Sequence, residues 1–265
     1  MSEPSLEPGQ PSIFALSRTH PAAFPVLIVA AWMLNLIGVG IVMQIIFHEF
    51  GHATAAWLSG RWAFPIPIAA LTFYGESRTT FMTLLVLAFL GWVLTRSFQK
   101  RYPGPFVLSV VGLLIAADFA FLVADKDVDM WCIYAGVAGE IILPALVCCF
   151  FFLRLTETFR WEFWRYPVVL GAAVSWMRSF SLWSGISLGL SGWRIGDDSA
   201  LSHDPKAFIE WLANTPGGND QDCYRLVHNF GWTTQQLFEN YRALCVVTAL
   251  MILIGYGLSL VKRSL

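Results

Sequence analysis

Residues 26–52 of the chain read VLIVAAWMLNLIGVGIVMQIIFHEFGH. The run has no ionisable residue before His48, and then three ionisable residues, His48, Glu49 and His52, fall within five positions. A stretch of about 20 apolar residues is long enough to cross a bilayer as a helix. The whole apolar segment, 26–58, is too long for one straight crossing, so it either extends beyond the bilayer or breaks near Gly38 and Gly40. The sequence therefore predicts a membrane helix that carries a cluster of ionisable side chains.

The composition of the whole chain is also typical of a membrane protein. Hydrophobic residues make up 56% of the 265 residues and charged residues only 13%, whereas a soluble domain carries about 25% charged residues. The mean hydropathy is +0.59. A net charge of -1 gives no indication of a nucleic-acid partner. The surface of this chain is therefore expected to face mostly lipid.

We expect an all-α integral membrane protein with about six transmembrane helices and a small extramembrane segment. The six apolar runs lie near 26–58, 80–96, 105–124, 131–153, 167–189 and 243–261. An even number of crossings puts both termini on one side. The excess of Lys and Arg in the short loops of that side predicts that the termini are cytoplasmic.

The sequence His48-Glu49-Phe50-Gly51-His52 has the spacing of a zinc site. Residues four apart share one face of a helix, so His48 and His52 can bind a single zinc ion. Glu49 lies one position further round the helix, where its carboxylate can accept a proton from a water that zinc has acidified. Gln44, four residues before His48, either orients a ligand or substrate, or makes a hydrogen bond between helices.

The third ligand is the open question, because a catalytic zinc site takes three protein ligands and one water. Glu140 is the first candidate, since it lies inside an apolar run, where an ionisable residue is a functional candidate by default. Asp118 is the second for the same reason. Four residues of the cap segment are further candidates, although a solvated loop position is the simpler interpretation for each: Asp197, Asp198, His203 and Asp222.

Depth in the bilayer favours Glu140. If the segment 26–58 is one continuous helix, His48 lies about 33 Å from its cytoplasmic end. Glu140 lies about 13 Å below the outer end of its own helix. In a hydrocarbon core about 30 Å thick the two side chains are then at a similar level, toward the non-cytoplasmic face. A shared metal ion would explain why a carboxylate and two imidazoles are tolerated there.

Residues 45–60, IIFHEFGHATAAWLSG, resemble the first core helix of the site-2 protease family of intramembrane zinc metalloproteases. The resemblance implies that His48 and His52 are zinc ligands and that Glu49 is the base. It also implies a third ligand in the form of an Asp followed by Gly on a later helix. This sequence has no Asp-Gly, and a Glu third ligand is instead similar to the membrane zinc proteases of the prenyl-protein-processing type.

The segment Ala63 to Phe73 interleaves apolar residues with proline, and within it the run Pro65-Ile66-Pro67-Ile68 resembles the short extended segment beside the active site in site-2 proteases. We expect it either to receive a substrate backbone by strand addition or to be an ordinary loop.

The leading functional interpretation is a membrane-embedded zinc-dependent peptidase that cleaves a protein or peptide substrate in or beside the bilayer. One alternative is a scaffold or partner subunit with a structural metal site. Another is a zinc-dependent hydrolase of a lipid amide or ester. A membrane protein partner is left open. The corresponding organisation is a flexible tail (1–25), a transmembrane catalytic core (26–189), an extramembrane cap (190–242), and a last transmembrane helix with its tail (243–265).

Overall fold

A computed structural model describes residues 22–152, 161–184 and 221–264. The helices within these ranges are α1 (Ala23–Leu36), α2 (Val39–Leu58), α3 (Thr80–Lys100), α4 (Pro103–Phe121), α5 (Asp125–Phe150), α6 (Trp161–Trp183), α7 (Gln221–Phe230) and α8 (Thr234–Ser264). Strands β1 (Ala63–Ile66) and β2 (Leu71–Tyr74) form an antiparallel hairpin between α2 and α3. The predicted tail up to residue 21 and the cap residues up to 220 lie outside the described ranges.

The described part of the chain is mostly helical and contains four or five candidate membrane spans. Four helices are each long and apolar enough to cross a membrane, namely Thr80–Lys100, Gly104–Phe121, Asp125–Phe150 and Thr234–Val261. The pair α1 and α2 meets the same criterion only when both helices are taken together. Helix α6 carries Arg165 and Arg178 and does not meet it in the described residues.

The first apolar segment breaks where its glycines predict. Gly38 adopts a left-handed backbone conformation, with a φ of 85°, which an L side chain rarely tolerates. Helices α1 and α2 are bent by 104° at this point. The assumption of one straight helix is therefore wrong, and the depth of about 33 Å for His48 is wrong with it. Counted from the start of α2 at Val39, His48 lies about 14 Å along the helix axis.

Helix α5 is the central element of the bundle. In its most apolar window 56% of the residues are buried, against 6% in α3, 11% in α4 and 17% in α8. It packs against α2, α6, α7 and α8. Side chains that pack against the buried face of α5 therefore lie in the interior, which is where polar groups require partners.

Two glycines set the distance between α2 and α5. A Cβ atom added to Gly139 would lie 2.5 Å from the Cα of Gly51 and 2.9 Å from the carbonyl oxygen of Phe47. A Cβ atom on Gly51 would collide with the carbonyl oxygen of Ala135. Small residues allow helix backbones to approach this closely in membrane proteins. At this crossing, the turn of α2 that carries His48 and His52 faces α5.

Arginines at both ends of the hairpin anchor it to the first turns of α5. Arg61, which is fully buried, pairs with Asp129 and also donates to the carbonyl oxygen of Asp125. On the other side of the hairpin, Arg78 Nε lies 2.7 Å from Asp125 Oδ1. The hairpin is therefore held beside the end of α2 rather than left as a free loop.

The glycine crossing leads to a first prediction, which compares Gly139→Ala with Gly91→Ala. Gly91 lies in α3, and a Cβ added there meets nothing within 4 Å. Alanine stabilises an open helical position by up to about 1 kcal/mol, but overpacking a tight contact costs about 1–3 kcal/mol. Thermal unfolding in detergent should show a lower Tm for Gly139→Ala and an unchanged or higher Tm for Gly91→Ala. Equal Tm values in the two variants would contradict the close crossing.

Candidate metal centre

Three potential ligand atoms converge at the buried face of α2. The Nε2 atoms of His48 and His52 lie 3.1 Å apart. Asp222 Oδ2, which comes from α7, lies 3.1 Å from the first and 3.0 Å from the second. These three residues are the one such group of His, Cys, Asp and Glu side chains found in the described residues. The group could hold a metal ion.

The hydrogen-bond partners behind the two rings fix their tautomers. His52 Nδ1 lies 2.7 Å from the carbonyl oxygen of Cys132, which can only accept a hydrogen bond, so Nδ1 carries the proton. His48 Nδ1 lies 2.6 Å from the carboxylate oxygen Oε1 of Glu140 and donates to it. In each neutral ring the Nε2 atom then keeps its lone pair, directed toward Asp222. A proton can bridge only two of the three converging atoms, whereas a metal ion contacts all three.

The triangle of ligand atoms is close to the size that a zinc ion requires, and slightly smaller. Zinc bonded tetrahedrally at about 2.0–2.1 Å needs ligand atoms about 3.3–3.4 Å apart, and the observed separations are 3.0–3.1 Å. Gly136 of α5 leaves the necessary room. A Cβ atom there would lie 2.6 Å from both His52 Nε2 and Asp222 Oδ2. The residues present therefore fit a bound zinc ion.

Glu140 contacts His48, but on the other side of the ring from Asp222. Its Oε1 atom receives the Nδ1 proton of His48, and its Oε2 atom accepts from Gln44 Nε2 at 2.5 Å and from Ser179 Oγ at 2.9 Å. Gln44 in turn accepts from Arg178 Nε at 2.8 Å. A carboxylate that receives the second nitrogen of a metal-binding histidine fixes the ring orientation and increases its basicity. Glu140 is therefore placed to orient the His48 ring, whereas Asp222 lies beside the Nε2 atoms of both histidines.

Packing of α7 brings Asp222 to the site. Cys223 and Leu226 are fully buried and pack in one apolar cluster with residues of α5 and α8. Arg225 and His228 lie on the opposite, exposed face. Asp222 is next to the buried stripe in the first turn, and it is 7% exposed. The packing of α7 therefore holds the Asp222 carboxylate beside the Nε2 atoms of both imidazoles.

Glu49 is held by the hairpin. Its side chain is buried, and its Oε2 atom accepts a hydrogen bond of 2.6 Å from Thr72 Oγ1 on β2. The hydroxyl of Thr72 also lies 3.0 Å from the carbonyl oxygen of Glu49. The predicted extended segment 63–73 is thus a real pair of strands, and it touches the residue that the motif assigns as the base.

The remaining candidates from the sequence are not brought to the histidines. Asp118 lies on α4, exposed and outside the ligand group. Asp197, Asp198 and His203 lie outside the described residues. For Asp222 the polar character of its segment favours a solvated loop position. Two features of the sequence point instead to a buried position: the amphipathic period over 222–229, and the implied Asp on a later helix, although Cys223 rather than Gly follows this Asp.

Comparison with known proteins adds no relative. Neither protein-family models, nor curated proteins, nor solved structures give a match to this chain.

The geometry predicts how three carboxylate variants differ in zinc content. Asp222→Ala removes an atom beside both Nε2 atoms and should abolish stoichiometric zinc binding. Glu140→Gln keeps a hydrogen-bond partner for His48 but loses the charge, and should weaken zinc affinity by about 10- to 100-fold. Asp118→Ala, the control, should bind zinc as the wild type does. Metal analysis of the purified full chain, with a competing chelator, measures all three. Stoichiometric zinc in Asp222→Ala together with complete loss in Glu140→Gln would reverse the two roles.

Proposed function

We propose that the chain is an intramembrane zinc-dependent peptidase with His48, His52 and Asp222 as metal ligands and Glu49 as the general base. The observation that carries this proposal is the convergence of two lone-pair nitrogens and one carboxylate oxygen on a single point. The residue that follows His48 on the same helix is Glu49, whose side chain is buried. The resemblance of residues 45–60 to site-2 proteases supports the same assignment from the sequence.

Each residue has a defined part in the hydrolysis of a peptide bond. Zinc, when bound, supplies Lewis acidity toward a water molecule and the scissile carbonyl. Glu49 accepts a proton from that water as its oxygen forms a bond to the carbonyl carbon. The C–N bond then breaks, and Glu49 returns the proton to the leaving amine. Glu140 holds the His48 ring in register throughout, through its hydrogen bond to Nδ1.

The number of protein ligands favours an enzyme over a structural metal clip. Structural zinc sites are almost always closed by four protein ligands, whereas catalytic sites keep one position for water. In the described ranges only three His, Cys, Asp or Glu side chains meet at the centre. A site with three ligands and a neighbouring carboxylate base is suited to activating water.

The hairpin favours a peptide substrate over a lipid amide or ester. The Gly75 N–H donates to the Trp62 carbonyl at 2.9 Å, so Trp62 and Gly75 form a hydrogen-bonded pair. Hydrogen-bonded and non-hydrogen-bonded pairs alternate along an antiparallel ladder, so Pro65 and Thr72 form a non-hydrogen-bonded pair. The backbone N–H and C=O of Thr72 therefore point away from β1, toward the outer edge of β2.

Strand β2 is the edge that suits an added strand. Pro65 removes one N–H donor from the outer edge of β1, whereas β2 contains no proline. An open sheet edge is not tolerated in the hydrocarbon of a bilayer unless water or another strand satisfies it. An extended polypeptide substrate would supply those hydrogen bonds, which a lipid chain cannot.

We further propose that the protein is a multi-pass integral membrane protein with about six crossings and cytoplasmic termini. The support consists of four apolar helices, the bent pair α1 and α2, and the distribution of Lys and Arg in the sequence. In this arrangement α6, whose Arg178 bonds to Gln44 of α2 inside the bundle, would be the additional crossing.

The proposed base can be tested with Glu49→Gln, which keeps the shape of the side chain and removes its basicity. Loss of a general base costs about 10²- to 10⁴-fold in rate. The variant should retain one zinc per chain and lose kcat by that factor on a dye-labelled single-span peptide in detergent. Normal turnover in Glu49→Gln would exclude Glu49 as the base.

Substrate addition to β2 can be tested with a cross-strand pair, Tyr74→Pro and Ala63→Pro. These residues face each other in the register, but only Tyr74 has its outward N–H on the proposed docking edge. A hydrogen bond contributes about 0.5–1.5 kcal/mol, so Tyr74→Pro should raise KM about 3- to 10-fold. Ala63→Pro and Tyr74→Phe should leave KM nearly unchanged, with zinc retained in all three. A larger effect from Ala63→Pro would assign substrate to the β1 edge instead.

A further inference from the structure

The inward face of the hairpin carries one polar contact that the zinc site does not explain. Along β2, Leu71 and Phe73 are exposed, whereas Thr72 and Tyr74 are half-buried and share the opposite face. From this face the Thr72 hydroxyl reaches Glu49 on α2, 23 positions earlier in the sequence.

The Glu49 carboxylate depends on this contact for its position. A glutamate side chain has three rotatable bonds and adopts several rotamers unless a neighbour selects one. In the described part of the chain, Thr72 is the one side chain that hydrogen-bonds the Glu49 carboxylate. The bond of 2.6 Å is short, as expected for a hydroxyl that donates to an ionised oxygen.

The backbone of Thr72 also lies on the edge of β2 that we propose receives the substrate. Its backbone N–H and C=O point to the outer edge of β2, as the Trp62–Gly75 hydrogen bond and the strand register require. A strand that adds to this edge would bond to the backbone of the residue whose side chain holds the base. A shift of the Thr72 backbone therefore moves the hydroxyl that orients Glu49.

We propose that Thr72 is a positioning residue that orients the base Glu49, and that it couples docking of a substrate strand on β2 to the alignment of that base. This inference rests on the proposed peptidase function and deepens it. Its consequence is that a bound polypeptide promotes its own hydrolysis, because the strand that binds it also fixes the catalytic carboxylate.

The first test replaces the hydroxyl without changing the shape of the side chain. Thr72→Val should retain zinc and keep KM on the dye-labelled single-span peptide within about threefold, while kcat falls about 10- to 100-fold because only alignment is lost. Thr72→Ser should restore kcat to within about threefold of the wild type, since it restores the donor. Thr95→Val is the matched control, because the Thr95 hydroxyl bonds only within exposed α3.

Two double-mutant comparisons decide whether Thr72 acts through Glu49. In a Glu49→Gln background, Thr72→Val should cause no further loss of kcat, as expected for residues that act as a unit. In metal-free protein, the Tm changes of Thr72→Val and Glu49→Ala should be non-additive, because interacting residues are coupled. The Tm comparison is independent of any activity.

The contradicting outcomes are distinct. Wild-type kcat in Thr72→Val, the same loss of kcat in the Glu49→Gln background, failure of Thr72→Ser to restore turnover, or additive Tm changes would each overturn the role of Thr72. Loss of zinc in Thr72→Val would assign the residue a structural role and overturn it as well. A wild-type chain that binds zinc but hydrolyses no peptide would overturn the proposed function, and the inference with it.

Discussion

The close crossing of α2 and α5 at Gly51 and Gly139 is the constraint on which the rest of the site depends. Without it, the imidazoles of His48 and His52 would not reach the groups on α5 that hold them. In the membrane location that we propose, no hydrophobic force between helices would drive such an approach, so van der Waals packing of small residues would have to provide it. The same approach brings the carbonyl oxygen of Cys132 within 2.7 Å of His52.

The crossing turns a sequence motif into a specific electrostatic arrangement. Glu140 accepts the Nδ1 proton of His48, and the Cys132 carbonyl oxygen accepts that of His52. The Nε2 lone pairs of both rings and the Asp222 carboxylate are then directed at one point. Three such acceptors repel one another unless a cation lies among them. The buried packing of α7 against α5 and α8 holds Asp222 there despite that repulsion. Folding of the chain therefore favours metal binding before any metal arrives.

Several features of this arrangement could be predicted from local sequence. The apolar runs predicted the helices, Gly38 and Gly40 marked where the first segment would break if it did not extend beyond the bilayer, and the segment 63–73 allowed either an extended stretch or a loop. The spacing of His48 and His52 predicted their common face. Each of these depends on residues close together in the chain, where periodicity and backbone preference are informative.

The third position of the site could not be predicted in the same way. Glu140 is a candidate because it lies inside an apolar run, and it does contact His48. Whether it contacts the Nδ1 or the Nε2 side of that ring depends on how α2 is rotated against α5. Asp222 approaches from a short amphipathic helix far along the chain, so only tertiary packing brings it to the histidines. The depth argument failed for a related reason, because a bend of 104° at Gly38 cannot be counted as a straight helix. The link from Thr72 to Glu49 likewise depends on docking of the hairpin.

The most direct test of the metal centre is X-ray absorption at the zinc edge, measured on the purified full chain in detergent. The arrangement of His48, His52 and Asp222 predicts one zinc per chain with nitrogen and oxygen ligands only, at about 2.0–2.1 Å, and outer-shell scattering from two imidazole rings. Asp222→Ala should remove this spectrum. A chain that binds no zinc, or one whose spectrum requires sulfur at about 2.3 Å or four protein ligands, would contradict the account.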